Sequence, residues 1–170
     1  MVNKFTDEDE IAKFSSLYED WWKNDGAFGA LHKLTPARML FIRQALGNST
    51  QRGAEIPKPF SGLRILDVGC GPGFLLSGVD NAWKRYGVEI SKFAAENARQ
   101  WGSIFHGELK DADFADAYFD VVVLHHVIEH VTDPAKLILE VRRILKNDGI
   151  LILGTPDFDS VCARRFGENY

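Results

Sequence analysis

Leu63-Arg-Ile-Leu-Asp-Val-Gly-Cys-Gly-Pro-Gly73 is the segment from which the architecture of this chain is read. It opens on a short run of branched apolar residues interrupted by Arg64, the pattern of a strand buried in a parallel sheet. Asp67 stands at the carboxyl end of that strand. Gly69, Gly71 and Gly73 then alternate with Cys70 and Pro72, and a helix is expected from Phe74 to about Asn81. Strand, glycine turn and helix put bare backbone at the carboxyl edge of a sheet, where a nucleotide-like ligand lies.

The spacing narrows the ligand. A dinucleotide-binding turn has its third glycine one residue later, at the position of Phe74 here, and receives a pyrophosphate on the helix end. Asp67 precedes Gly69 closely, and a carboxylate there repels a pyrophosphate while suiting amines and hydroxyls. S-Adenosylmethionine fits those demands, with its sulfonium, amino-acid tail, adenosine and absence of phosphate. Asp67, Gly69, Cys70, Gly71 and Gly73 are the expected cofactor contacts of this turn. Cys70 reads as a small residue that fits a tight turn rather than as a reactive thiol.

Working outward toward the C-terminus, Tyr86 to Ile90 reads as a second strand ending in an acid. Glu89 lies about 20 residues beyond the turn, where nucleotide-binding α/β folds place a carboxylate on ribose hydroxyls. Ser91 is a cap for a helix over Lys92 to Trp101, and Ser103 to His106 is a short third strand followed by Glu108 and Leu109. Tyr118 to Leu124 is a fourth strand, its Val121-Val-Val123 run marking burial on both faces. His125, His126, Glu129 and His130 gather just past it. Asp133-Pro134 opens a helix that Asn147-Asp-Gly149 closes, and Ile150 to Leu153 is a fifth strand. Such alternation means an α/β, Rossmann-like doubly wound parallel sheet, and right-handed crossovers give the order 3-2-1-4-5. The order reverses between strands one and four, so the ligand crevice is expected there, beside Asp67, Glu89, Glu108 and His125.

Upstream, Thr6-Asp-Glu-Asp9 is a helix start, and Ile11, Phe14, Tyr18, Trp21 and Trp22 recur at helical spacing. An amphipathic helix is expected there, doubling as a flap over an apolar substrate. Gly29 to Thr35 reads as a loop, and Thr35-Pro36 as the start of a second helix that runs to about Leu46. The domains expected are therefore an N-terminal helical cap over residues 1–48, a linker over 49–62, and a ligand-binding sheet domain over 63–170.

Net charge is −4 and no basic block occurs, which argues against a nucleic-acid partner. No stretch approaches the length of a membrane span and no secretory signal opens the chain. Cys70 and Cys162 sit in unrelated contexts, so a reducing, cytoplasmic location is expected. No metal is expected.

The segment from Leu63 to about Thr155 resembles the core of the class I S-adenosylmethionine-dependent methyltransferases, of the methyltransferase type 11 group. The resemblance rests on Ile65-Leu-Asp-Val-Gly-Cys-Gly-Pro-Gly73, on Gly87-Val-Glu-Ile-Ser91, on Phe119 to Pro134 and on Ile144 to Pro156. Upstream, Trp21-Trp22-Lys-Asn-Asp-Gly-Ala-Phe28, Leu31-His32 and Thr35-Pro-Ala-Arg38 are similar to the entry of the ubiquinone-biosynthesis O-methyltransferases, which act on a ring hydroxyl bearing a polyprenyl tail. That family carries an acid near the position of His126, before its Glu-His pair. The resemblance implies a methyl transfer to a small-molecule acceptor, apolar or quinone-like. It implies Arg38 on the methionine carboxylate, and adenine between Ile90 and Leu109 with Glu108 accepting from its exocyclic amine. His125 then lines the methionine portion, and His126 and His130 are the candidate general bases, since histidine titrates near neutral pH.

The superfamily sheet normally continues with two further strands, so the domain is expected to be incomplete at its C-terminus, as a fragment or a trimmed member. The bare edge of the fifth strand is then expected to be covered by a homodimer contact or by Asp157 to Tyr170. A non-catalytic S-adenosylmethionine-binding domain is the alternative function, and a nicotinamide-dependent oxidoreductase a third, disfavoured by Phe74.

Overall fold

The computed structural model describes residues 29–50, 61–157 and 159–166. The elements are α1 (Gly29–Thr50), β1 (Arg64–Val68), α2 (Phe74–Gly78), β2 (Lys84–Glu89), α3 (Lys92–Ala98), β3 (Ser103–His106), β4 (Phe119–His125), α4 (Pro134–Ile144), β5 (Leu145–Gly154) and α5 (Val161–Phe166). The strands form one five-stranded sheet in the order β3-β2-β1-β4-β5, every neighbouring pair parallel. This is the expected topology.

Side-chain alternation explains why the sheet is covered on both faces. Ile65, Val121 and Val123 enter one apolar cluster, with α1 and α2. Their neighbours Leu66, Val122 and Leu124 enter the other, with Leu137, Val141 and Ile144 of α4. Each such side chain contributes about 1.5–3 kcal/mol by burial, which favours a strand wherever short branched runs alternate between two cores. At the amino ends of the strands an aromatic cluster closes the sheet. Tyr86, Phe114, Tyr118 and Phe119 meet edge to face, and the Arg64 guanidinium lies 4.2 Å from the Tyr118 ring centre.

Element bounds differ from the sequence reading in three respects. The expected loop at Gly29 to Thr35 and the helix after it are one helix, with Pro36 inside it. An interior proline costs about 3 kcal/mol. The helix continues because Ala30, Leu31, Lys33 and Leu34 are good helix formers and because Met39, Ile42 and Leu46 dock on the core along one face. Gly78 lets α2 approach closely, since a Cβ there would lie 3.1 Å from both Met39 Cγ and Thr35 Cγ2. The same helix runs to Thr50, past the expected start of the linker.

The second difference is at the fifth strand. Asn147-Asp-Gly149 does not end α4, which stops at Ile144, and β5 begins at once. Phe119 pairs with Leu145 and Val121 with Ile150, so residues 146–149 form a bulge opposite Asp120. Lys146 Nζ lies 2.6 Å from Asp120 Oδ1, and the other Asp120 oxygen accepts from the Arg64 amide at 2.8 Å. The turn-forming residues thus serve a strand irregularity instead of a helix stop. Third, α2 and α3 end at Gly78 and Ala98, each three residues short of expectation, while β2 starts at Lys84. The N-terminal amphipathic helix, with Trp21 and Trp22, falls outside the described residues.

Candidate functional site

The glycine turn is held from behind by backbone. Gly69 and Cys70 N–H both donate to the Val88 carbonyl, at 2.8 and 3.1 Å, and Gly73 N–H donates to the Cys70 carbonyl at 3.0 Å. Gly69, Gly71 and Gly73 all have positive φ, at 68°, 53° and 92°. Two of them are also sterically required. A Cβ on Gly69 would come within 2.7 Å of Val127, in the loop after β4, and one on Gly73 within 2.7 Å of Trp101.

Glu89 ties this turn to the next helix. Its Oε2 accepts from the Gly71 amide at 2.8 Å and its Oε1 from the Ser91 amide at 2.8 Å. Ser91 in turn caps α3 through Ala94 N–H. Burial raises the Glu89 pKa, and these backbone donors oppose the rise. The carboxylate retains acceptor capacity for a ligand hydroxyl.

Asp67 lies deeper, 4% exposed, paired in register with Gly87 on one side and Val123 on the other. Burial first, and then the nearby Glu89, push its pKa up to about 8, while Arg38 pulls the other way. Arg38 reaches this site from α1, and its charge also bears on His125. His125 ends β4 half-buried, and burial, Arg38 and His126 lower its pKa to about 4. It therefore stays neutral at physiological pH.

Two buried acids beside a glycine turn make a poor place for a phosphate and a good one for a cation that also carries hydroxyls. A cationic ligand without phosphate relieves the Asp67–Glu89 repulsion and satisfies Asp67. The residues present thus fit S-adenosylmethionine. Among the described residues no group of three or more His, Cys, Asp or Glu is arranged to hold a metal ion.

The remaining expected contacts fall around this core in different ways. The Cys70 side chain is turned into the packing with Leu76 and Ala98, and burial, Asp67 and Glu89 raise its thiol pKa well above the ordinary range. A Cβ on Gly87 would lie 2.7 Å from its Sγ. Ile90 is partly exposed, and its carbonyl contacts His106 Nε2 at 3.1 Å. Leu109 is buried on the α4 side of the sheet. Glu108 Oε2 is ion-paired with Lys110 Nζ at 2.8 Å.

Past β4 the backbone bends sharply. His126 has φ 55°, a left-handed conformation that costs a non-glycine residue about 1–3 kcal/mol. Its amide donates to the Gly154 carbonyl at 2.8 Å, which ties the ends of β4 and β5 together. His126 Nδ1 lies 3.1 Å from Glu129 Oε1, and the Thr155 hydroxyl donates to Glu129 Oε2 at 3.3 Å. His130 closes the short turn Ile128–His130, its amide donating to the Val127 carbonyl. Between α1 and the ends of β4 and β5 opens a cavity of about 280 Å³, apolar but for Arg38 and His125, with Phe41 and Leu153 at its mouth. Sequence reasoning did not find Phe41 or Leu153 as site neighbours and did not join Thr155 to Glu129. The one signal available was Glu129 three residues after His126, the spacing of a turn-borne pair.

Comparison with known proteins bears on the family and the fold. The methyltransferase-domain family matches residues 66–153. The ubiquinone biosynthesis O-methyltransferase of Cereibacter sphaeroides is 33% identical over 159 residues, covering 88% of this chain and 64% of its own length. The mitochondrial ubiquinone biosynthesis O-methyltransferase of Arabidopsis thaliana is 33% identical over 160 residues, covering 87% of this chain and 49% of that one. This chain therefore spans less than two thirds of the length of these relatives. Among solved structures, a Thermotoga maritima protein described as an S-adenosylmethionine-dependent methyltransferase and possible histamine N-methyltransferase superposes with TM-score 0.62 at 26% identity, over 94% of this chain and 67% of that one. A Pyrococcus horikoshii protein shares the fold, with TM-score 0.61 at 21% identity over 90% of this chain and 66% of that one.

Proposed function

The chain belongs to the methyltransferase-domain family, whose cofactor is S-adenosylmethionine, and from that premise we propose that it transfers a methyl group to a ring hydroxyl of a small-molecule acceptor. The observation that carries the reading is the convergence of Asp67, Glu89 and Arg38 on a phosphate-averse glycine turn at the reversal of strand order. The O-directed part is supported by the names of the curated relatives, and an apolar, quinone-like acceptor by the cavity between α1 and β5.

In this reading Glu89 holds the ribose hydroxyls with the lone pairs its backbone donors leave open. Arg38 takes the methionine carboxylate and Asp67 faces the positive side of the ligand. Ile90 and Leu109 flank the adenine, Glu108 accepts from its amine, and His125, kept neutral, lines the methionine portion. When bound, the cofactor supplies an electrophilic methyl group, so that transfer breaks one S–C bond, forms one O–C bond and frees the hydroxyl proton. The protein's task is alignment, which supplies on the order of 7–11 kcal/mol in favourable cases, and acceptance of that proton. A phenolic hydroxyl of pKa about 10 gains from a general base. His126 is that base and His130 the other candidate. The same reading sets the enzyme in the cytoplasm.

Calorimetric titration with S-adenosylmethionine and with NAD, followed by turnover on catechol, tests it. Binding of the first ligand alone, with methylated catechol formed, is expected. Binding of NAD instead would overturn it. A second reading is a module that binds the cofactor without turnover. Binding without methylated product on a panel of catechols would select it.

A further inference from the structure

The turn after β4 carries a hydrogen-bonded chain outside the proposed cofactor contacts. Its members are His126 Nδ1, Glu129 and the Thr155 hydroxyl, from the strand-end turn and the segment beyond β5. A carboxylate only accepts hydrogen bonds. The ring nitrogen 3.1 Å from Glu129 Oε1 must therefore carry a proton, because two lone pairs facing each other at that distance repel. With the imidazole neutral, the other nitrogen is then the base. We infer that Glu129, itself fixed by Thr155, is a positioning residue that holds His126 as the Nδ1–H tautomer and leaves its lone pair on Nε2.

Three further features support the assignment. The left-handed backbone at His126 is pinned by the hydrogen bond from its N–H to the Gly154 carbonyl, so the ring starts from a fixed point. The neighbouring His125 ring, with centroids 4.6 Å apart, stays neutral and brings no competing charge. Thr155 donates to the Glu129 oxygen that His126 does not use, so both carboxylate oxygens are engaged and the group cannot swing away freely. The consequence for the reaction is a proton path that balances. As the acceptor oxygen gains the methyl group, its proton passes to Nε2. The imidazolium that forms is stabilised by the adjacent carboxylate, as in other base–orienter pairs.

The inference rests on the methyltransferase reading for its role, but its first test does not need turnover. Long-range proton–nitrogen NMR of the full chain reports which ring nitrogen carries the proton, and a His126→Gln spectrum identifies the signals. The expected result is a protonated Nδ1 in the parent and in Glu129→Gln, whose amide oxygen still accepts. In Glu129→Ala the signals move toward the Nε2–H form. With catechol and S-adenosylmethionine, Glu129→Ala should lower kcat by about ten- to a hundred-fold with KM unchanged, and Glu129→Gln should recover part of the loss. A His126 protonated on Nε2 in the parent, or signals unmoved in a folded Glu129→Ala chain, would overturn the positioning role. A parent chain with the expected tautomer that binds S-adenosylmethionine yet never methylates catechol would instead overturn His126 as a base and leave Glu129 as its anchor.

Discussion

Asp67 and His125 shift in opposite directions for the same reason, burial of a group that would be charged. The Asp67 carboxyl ionises near 3.8 when unfolded and near about 8 in the folded chain, so stability is lost as pH rises between those values. His125 takes a proton near 6.5 when unfolded but only near about 4 when folded, so stability is lost as pH falls between those. From about pH 4 to 6.5 the two slopes cancel. Above 6.5 that of Asp67 stands alone, at most about 1.4 kcal/mol per pH unit. Urea midpoints should therefore hold level from pH 5 to 6.5 and fall toward pH 8, and the fall should vanish in Asp67→Asn. A positive ligand lowers the Asp67 pKa, so S-adenosylmethionine should bind with proton release at pH 7 and more tightly at pH 8. Calorimetry in two buffers of different ionisation enthalpy would show a buffer-independent heat if this is wrong. Both acids were legible in the sequence, from a strand end and a spacing. Their protonation was not, because it depends on burial and on Arg38 arriving from another element.

At the scale of elements, the fit between the glycine turn and β2 is the contact on which the site depends. Gly87 is bare because Cys70 Sγ and Ile104 Cδ1 both occupy the space of its missing side chain, at 2.7 Å. Gly87→Ala should cost about 1–3 kcal/mol by overpacking and shift the turn through Cys70. Cys70→Ala should restore part of both stability and cofactor affinity in the double variant, a coupling that a thermodynamic cycle measures. Additive losses would mean that the two residues do not share this space. The strands themselves were readable because short branched runs between turn formers have one good solution in a two-faced core. Thr35-Pro36 and Asn147-Asp-Gly149 misled for a common reason. Each is a sound local boundary signal, one for a helix start and one for a helix stop, yet docking of Met39, Ile42 and Leu46 carried α1 through the first, and pairing with β4 absorbed the second as a bulge.

In the molecule as a whole, α1 is both a wall of the core and the carrier of Arg38, so the proposed role of Arg38 would link ligand binding to helix order. Amide exchange across Gly29–Thr50 should slow when S-adenosylmethionine is added, and Arg38→Ala should abolish that slowing. Equal protection with and without ligand would remove Arg38 from the site. The sequence placed the candidate residues at one sheet edge because strand order follows from handedness. It could not join His126 to Thr155, which meet only through the tertiary bend after β4. The opposite edge tells a complementary story. The aromatic cluster, the Arg64 guanidinium and the Lys146–Asp120 pair all brace the amino ends of the strands, at the opposite end of the sheet from the glycine turn. The brace lies apart from the cavity between α1 and β5, so substitutions at the exposed Phe41 or Leu153 beside that cavity leave the brace untouched.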